Sequence, residues 1–104
     1  MKILNSYLQY AAGHDIENVT TAHLDKALTD LPKMDDEHGA FWVGVYGDDT
    51  DEFVLEIDKE LSLTGIFGEE VYKIQLNHLA EARGYYELLL GGKIDELKEQ
   101  LKNH

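Results

Sequence analysis

The chain has 104 residues, 43% of them hydrophobic, and sets 21 Asp and Glu against 9 Lys and Arg for a formal net charge of −12. That length fits one domain, 1–104, with a single core, and the apolar and aromatic content is that of a globular rather than a disordered chain. The absence of Cys excludes a disulfide framework, a thiolate nucleophile and a Cys-based zinc site, while the acid excess disfavours nucleic acid and anionic membrane surfaces as partners.

Residues 2–10 alternate loosely, with Leu4, Leu8 and Tyr10 on one parity and Ile3 and Tyr7 on the other. The pattern predicts a strand, with a short helix as the alternative. Gly13, His14 and Asp15 read as a loop. Residues 20–31 predict a helix, because Leu24, Ala27, Leu28 and Leu31 fall at i, i+3, i+4 and i+7. Thr20 is its expected N-cap, with Val19 and Leu24 spaced as a hydrophobic staple. Pro32 disfavours helical backbone at Leu31 and is expected to end the helix there.

Met34 to Gly39 reads as an acidic loop containing Asp35, Asp36, Glu37 and His38. Ala40 to Tyr46 is an aromatic and β-branched strand with Phe41, Val43 and Val45 on one face and Trp42, Gly44 and Tyr46 on the other. Apolar residues on both faces predict a central position. The turn that follows holds Asp48, Asp49, Asp51 and Glu52. Phe53 to Ile57 is the next strand, pointing Phe53, Leu55 and Ile57 inward, and the short gap predicts an antiparallel hairpin.

Leu61 to Thr64 predicts a strand that ends near Gly65. Val71 to Leu76 predicts another, with Tyr72, Ile74 and Leu76 on one side. Asn77 is the expected N-cap of a helix over about 78–90, closed by Gly91 and Gly92. Ile94, Leu97 and Leu101 mark a short C-terminal amphipathic helix. Asp95–Lys98 and Glu99–Lys102 are its expected surface pairs, each contributing about 0.2–0.5 kcal/mol. The expected fold is α+β: a mostly antiparallel sheet of four to five strands, in the order β-α-β-β-β-β-α-α, with helices packed on one face.

Motifs for chemistry are sparse. The spacing of Asp48, Asp49, Asp51 and Glu52 is not that of an EF-hand, since Phe53 falls where that loop requires Gly. A solvated polar turn is the simpler reading. The histidines are scattered, with no H-x-x-x-H pair. Ser6 and Ser62 lie in no G-x-S-x-G, and there is no G-x-G-x-x-G or P-loop. Glu56, mid-strand between Leu55 and Ile57, is the one carboxylate that would gain acid–base character if a pocket covered it; a solvent-facing position on an amphipathic strand is the plainer expectation. Trp42 and Tyr46 flank Gly44. Large aromatics in a small domain are core residues first, with Gly44 making room for a helix above; a partner-facing patch is the other reading. No catalytic residue, metal ligand or cofactor is expected.

Several of these segments taken together carry a resemblance. The helix Thr20-Thr21-Ala22-His23-Leu24-Asp25-Lys26-Ala27-Leu28 after an initial strand, the strand Ala40-Phe41-Trp42-Val43, the acidic turn and the strand Phe53-Val54-Leu55-Glu56-Ile57 resemble the small acidic immunity proteins of bacterial polymorphic-toxin systems. The likeness covers about residues 3–76. It implies a non-enzymatic cytoplasmic protein that binds and neutralises a toxin. Physics points the same way: a charge of −12 costs stability through self-repulsion, so it serves either solubility or a basic partner. The expected partner-binding residues are Asp35, Asp36, Glu37, Tyr46, Asp48, Asp49, Asp51 and Glu52. A small ligand-binding or enzymatic domain with Glu56 in a pocket, and an adaptor domain, are the alternatives. The segment Met1 to Tyr7 lacks the long apolar core of a signal peptide, and no apolar run is long enough to span a bilayer, which also predicts a cytoplasmic protein.

Overall fold

A computed structural model describes residues 2–48 and 51–104. The chain runs β1 (Ile3–Tyr10), β2 (Asp15–Glu17), α1 (Thr21–Asp30), β3 (Ala40–Gly47), β4 (Glu52–Asp58), β5 (Ser62–Phe67), β6 (Glu70–Gln75), α2 (Ala82–Leu90) and α3 (Ile94–Lys102). The strands form one six-stranded antiparallel sheet in the order β2-β1-β3-β4-β5-β6. The class is α+β, as the pattern of elements implied. The extra strand is β2, read above as the end of a loop: its three residues pair with Tyr7, Leu8 and Gln9, and so short a strand carries no periodicity of its own.

The core lies between one sheet face and all three helices. Leu8, Phe41, Val43, Val45, Leu55, Ile57 and Leu63 supply its sheet side. Leu24, Ala27 and Leu28 of α1, Ala82, Tyr86 and Leu89 of α2, and Ile94, Leu97 and Leu101 of α3 supply its helix side. Tyr86 joins the layers. It is fully buried, its ring stacks on Phe41 at 5.5 Å, and its hydroxyl donates to the Leu55 carbonyl at 3.0 Å.

Helix α1 begins as its sequence dictates. Thr20 Oγ1 accepts from the His23 amide at 3.3 Å, and His23 Nδ1 accepts from the Thr20 amide at 3.0 Å. Two orphan donors are thereby satisfied reciprocally. Its end differs from expectation: Leu31 keeps helical dihedrals, φ −52 and ψ −49, and the chain tightens into a 3-10 turn over Leu31–Lys33. Pro32 sits in the first positions of that turn, where a missing N–H costs little.

Two further boundaries move. Strand β5 passes through Gly65 and continues to Phe67. Gly65 is buried because α3 crosses it: a Cβ there would stand 2.9 Å from Leu101 Cδ1 and 2.7 Å from Phe67 Cε2. Gly65→Ala is therefore expected to cost about 1–3 kcal/mol through overpacking, read as a lower urea midpoint at unchanged slope. The α2 segment starts differently as well. A 3-10 turn over Leu79–Glu81 precedes it, and Glu81 Oε1 accepts from the amides of Asn77 and His78 at 3.1 and 2.8 Å. The capping acceptor is thus Glu81 rather than Asn77. On α3, Lys98 turns away from Asp95 to Glu70 at 3.5 Å and lies over the Phe67 ring at 5.5 Å, which fixes the helix to the β5–β6 end of the sheet. Among the described residues no helix is long and apolar enough to cross a membrane.

Candidate functional site

Because side chains alternate across a strand, packing every helix on one side of the sheet leaves the other side uncovered. Pairing register shows what stands there. Trp42 lies between Gln9 and Glu56, Gly44 between Tyr7 and Val54, and Tyr46 between Asn5 and Glu52. Beyond them come Thr64 and Ile66 of β5, then Val71 and Lys73 of β6. Asp15 and Glu17 of β2 flank Gln9 and Tyr7 on the other side. Apolar surface is open here: Tyr46 and Ile66 are each 38% exposed and Val71 61%. Carboxylates Asp15, Glu17, Glu52, Glu56 and Asp58 share the face with one strand-borne cation, Lys73.

The core assignment of Trp42 and Tyr46 is therefore corrected. Trp42 is half-buried and Tyr46 exposed, both on the helix-free face. Gly44 does make room, but for the Tyr7 ring rather than a helix: a Cβ at Gly44 would stand 2.3 Å from Tyr7 Cε1 and Cζ. An aromatic ring laid across a cross-strand glycine covers backbone that would otherwise meet water. Glu56 sits half-buried on the same open face, beside Trp42 and Thr64.

Tyr7, Tyr46 and Glu52 form the most closely linked cluster on this face. The Tyr7 hydroxyl donates to Glu52 Oε2 at 2.6 Å, and the two rings lie 6.1 Å apart at 40°. Burial, then the Glu52 carboxylate, pushes the Tyr7 phenol far above its usual range. The Glu52 carboxylate also raises Tyr46. Both phenols therefore stay protonated as donors.

Beside this cluster runs a groove of about 390 Å³ lined by Asn5, Ser6, Tyr7, Glu17, Asn18 and Tyr46. Its β2 wall is held by main-chain geometry. The Asn18 amide donates to the Ser6 carbonyl at 3.0 Å, and the Val19 amide to Ser6 Oγ at 2.9 Å. Asn18 takes φ +56, a left-handed conformation that Asn tolerates better than most residues.

The sequence-predicted contact residues divide between two ends of the sheet. Tyr46 and Glu52 belong to the open face. Asp48 follows β3 and is exposed. Asp51 precedes β4, its carbonyl accepting from the Gly47 amide at 3.2 Å. Asp49 lies outside the described residues. Asp35, Asp36 and Glu37 stand at the other end, since β3 separates the two groups by its eight residues, about 25 Å at ordinary strand rise. There Lys59 Nζ reaches the Met34 carbonyl at 2.6 Å and Asp36 Oδ1 at 3.1 Å, while Asp35 Oδ1 accepts from the His38 amide at 2.7 Å. Tyr7 and Glu17 were not among the expected residues. A bulge between Ile3 and Asn5 breaks the parity of β1, so Ile3 and Leu8 both pack on the core while Leu4 is 54% exposed. The polar alternation Asn5, Tyr7, Gln9 was the signal that could have found Tyr7.

Among the described residues no group of three or more His, Asp or Glu side chains is placed to hold a metal ion. No protein-family model, curated protein or solved structure matches the chain.

The raised phenols of Tyr86 and Tyr7 set an alkaline limit. Burial, then the Glu56 charge, drives Tyr86 well above its usual range, and Tyr7 is raised as described. A folded-state pKa above the unfolded one means that the folded protein holds the proton more tightly. The resulting stabilisation is complete below the unfolded value of about 10 and is lost as pH rises toward the folded values. Urea midpoints are expected to fall as pH rises past about 10. Tyr86→Phe should flatten part of that fall.

Proposed function

We propose that this chain is a non-enzymatic acidic binding protein that occludes a basic protein partner, acting in the cytoplasm as an immunity protein against a bacterial toxin. The observation that carries this reading is the uncovered sheet face, where Tyr7, Trp42 and Tyr46 are interleaved with Asp15, Glu17, Glu52 and Glu56. Aromatic side chains supply contact area with little rotamer loss, and surrounding carboxylates select a basic surface. Nuclease toxins fit the second requirement, because a phosphate-binding surface is basic. The formal charge of −12 extends the field beyond the contact and speeds encounter.

Affinity capture from the native host, at low and at physiological salt, tests the reading. One basic protein retained at physiological salt, and released when the open face is charge-reversed, is the expected result. Retention of no protein at either salt overturns it.

A further inference from the structure

We infer that the groove between β2 and the Tyr7–Tyr46 pair receives an arginine side chain of the partner. This inference rests on the proposed binding function and names the chemistry of one contact within it.

The groove presents two unlike walls. One is aromatic, built from Tyr7 and Tyr46 with centroids 6.1 Å apart. The other is polar and anionic, built from Glu17 and Asn18, with Asn5 and Ser6 between the walls. A guanidinium matches both at once. Its flat face stacks on a phenol ring, and its edge carries donors for the Glu17 carboxylate and for amide oxygens. A lysine ammonium is a strongly hydrated point charge and lacks the flat face. An acidic side chain would meet the carboxylates of Glu17 and Glu52.

The site is also vacant of the chain's own cations. Among the described residues, the ion pairs engage Lys26 with Asp30, His38 with Asp35, Lys59 with Asp36, Lys98 with Glu70, and Arg83 with Asp25 and Glu87; none involves Glu17 or Glu52. The backbone of the polar wall and the Tyr7 ring need little ordering on binding. The amides of Asn18 and Val19 are tied to Ser6, and Tyr7 is held between Gly44 and Glu52. This preformed frame lowers the ordering cost of binding to that of the exposed Glu17, Asn18 and Tyr46 side chains.

The test is a titration of the full chain, labelled with 15N, by N-acetyl-arginine amide, with the corresponding citrulline and lysine amides as controls. The expected result is saturable shifts confined to the amides of Asn5 to Tyr7, Glu17, Asn18 and Tyr46. Arginine should produce them, lysine should do so more weakly, and citrulline not at all. Glu17→Gln should weaken the arginine response about two- to fivefold, the usual range for one exposed charge pair. Tyr46→Ala, which removes a ring from the helix-free face rather than from the core, should weaken it further. Equal responses to citrulline and arginine overturn the inference, as do shifts spread equally over the Asp35–Glu37 loop. The two readings fail separately. Absence of the arginine response with a basic partner still captured overturns the groove assignment and leaves the binding function. An arginine response with no protein captured at any salt supports the groove and overturns the function.

Discussion

Tyr86→Ala is expected to cost about 3–5 kcal/mol, a large share of the roughly 5–15 kcal/mol that holds a domain of this size. The magnitude follows from position. Tyr86 is fully buried, stacks on Phe41, and donates to the Leu55 carbonyl, so one side chain fastens α2 to β3 and β4. Removing it opens a cavity at the centre of the sheet–helix interface and removes the hydroxyl that donates to the Leu55 carbonyl. Thermal unfolding followed by far-UV circular dichroism should show the midpoint falling by about 15 °C or more. Tyr86→Phe keeps the ring and loses only the hydrogen bond, at about 0.5–1.5 kcal/mol. If alanine and phenylalanine proved equally mild, α2 would not pack where this structure puts it.

The second large effect concerns binding. Tyr46→Ala is expected to weaken the complex with the proposed basic partner by about 2 kcal/mol, or roughly 30-fold, while costing folding stability no more than about 1 kcal/mol, the range of a cross-strand pair. Tyr46 is exposed and edges the groove next to Tyr7, so its truncation removes contact surface without opening the core. Gly44→Ala should act on the same site from beneath, since a Cβ there collides with the Tyr7 ring and must displace it from Glu52. Isothermal titration with the captured partner, beside urea unfolding of the free variants, separates the two contributions. A loss of affinity matched by an equal loss of folding stability would contradict a contact role for Tyr46.

Much of the fold follows from local pattern. The apolar stripe of Leu24, Ala27 and Leu28 and the Thr20 cap define α1; alternation defines β3, β4 and β6; Ile94, Leu97 and Leu101 define α3. What escaped the pattern is long-range. Strand β2 exists because β1 offers it hydrogen bonds, and Gly65 reads as a turn until α3 is known to cross it. Lys98 pairs with Glu70 rather than Asp95 for the same reason. The candidate site divides likewise. Tyr46 and Glu52 were legible from composition and alternation; the alternation Asn5, Tyr7, Gln9 hinted at Tyr7, but the bulge before it hid the parity of β1, and Glu17 joined them only through register. Which aromatics face the core also depended on where the helices pack, and Trp42 and Tyr46 lie on the side that no helix covers.

The association rate constant of the captured partner, measured with two charge-reversed proteins, tests the central claim most directly. One carries Glu17→Lys, Glu52→Lys and Glu56→Lys on the open face; the other carries Asp35→Lys, Asp36→Lys and Glu37→Lys at the far end of β3. Both change the net charge equally, so any difference between them reports location rather than total field. The open-face protein is predicted to associate about tenfold or more slowly than the far-end protein, with a flatter salt dependence. Equal slowing of the two, or a larger effect at the far end, would contradict an interface centred on the uncovered sheet.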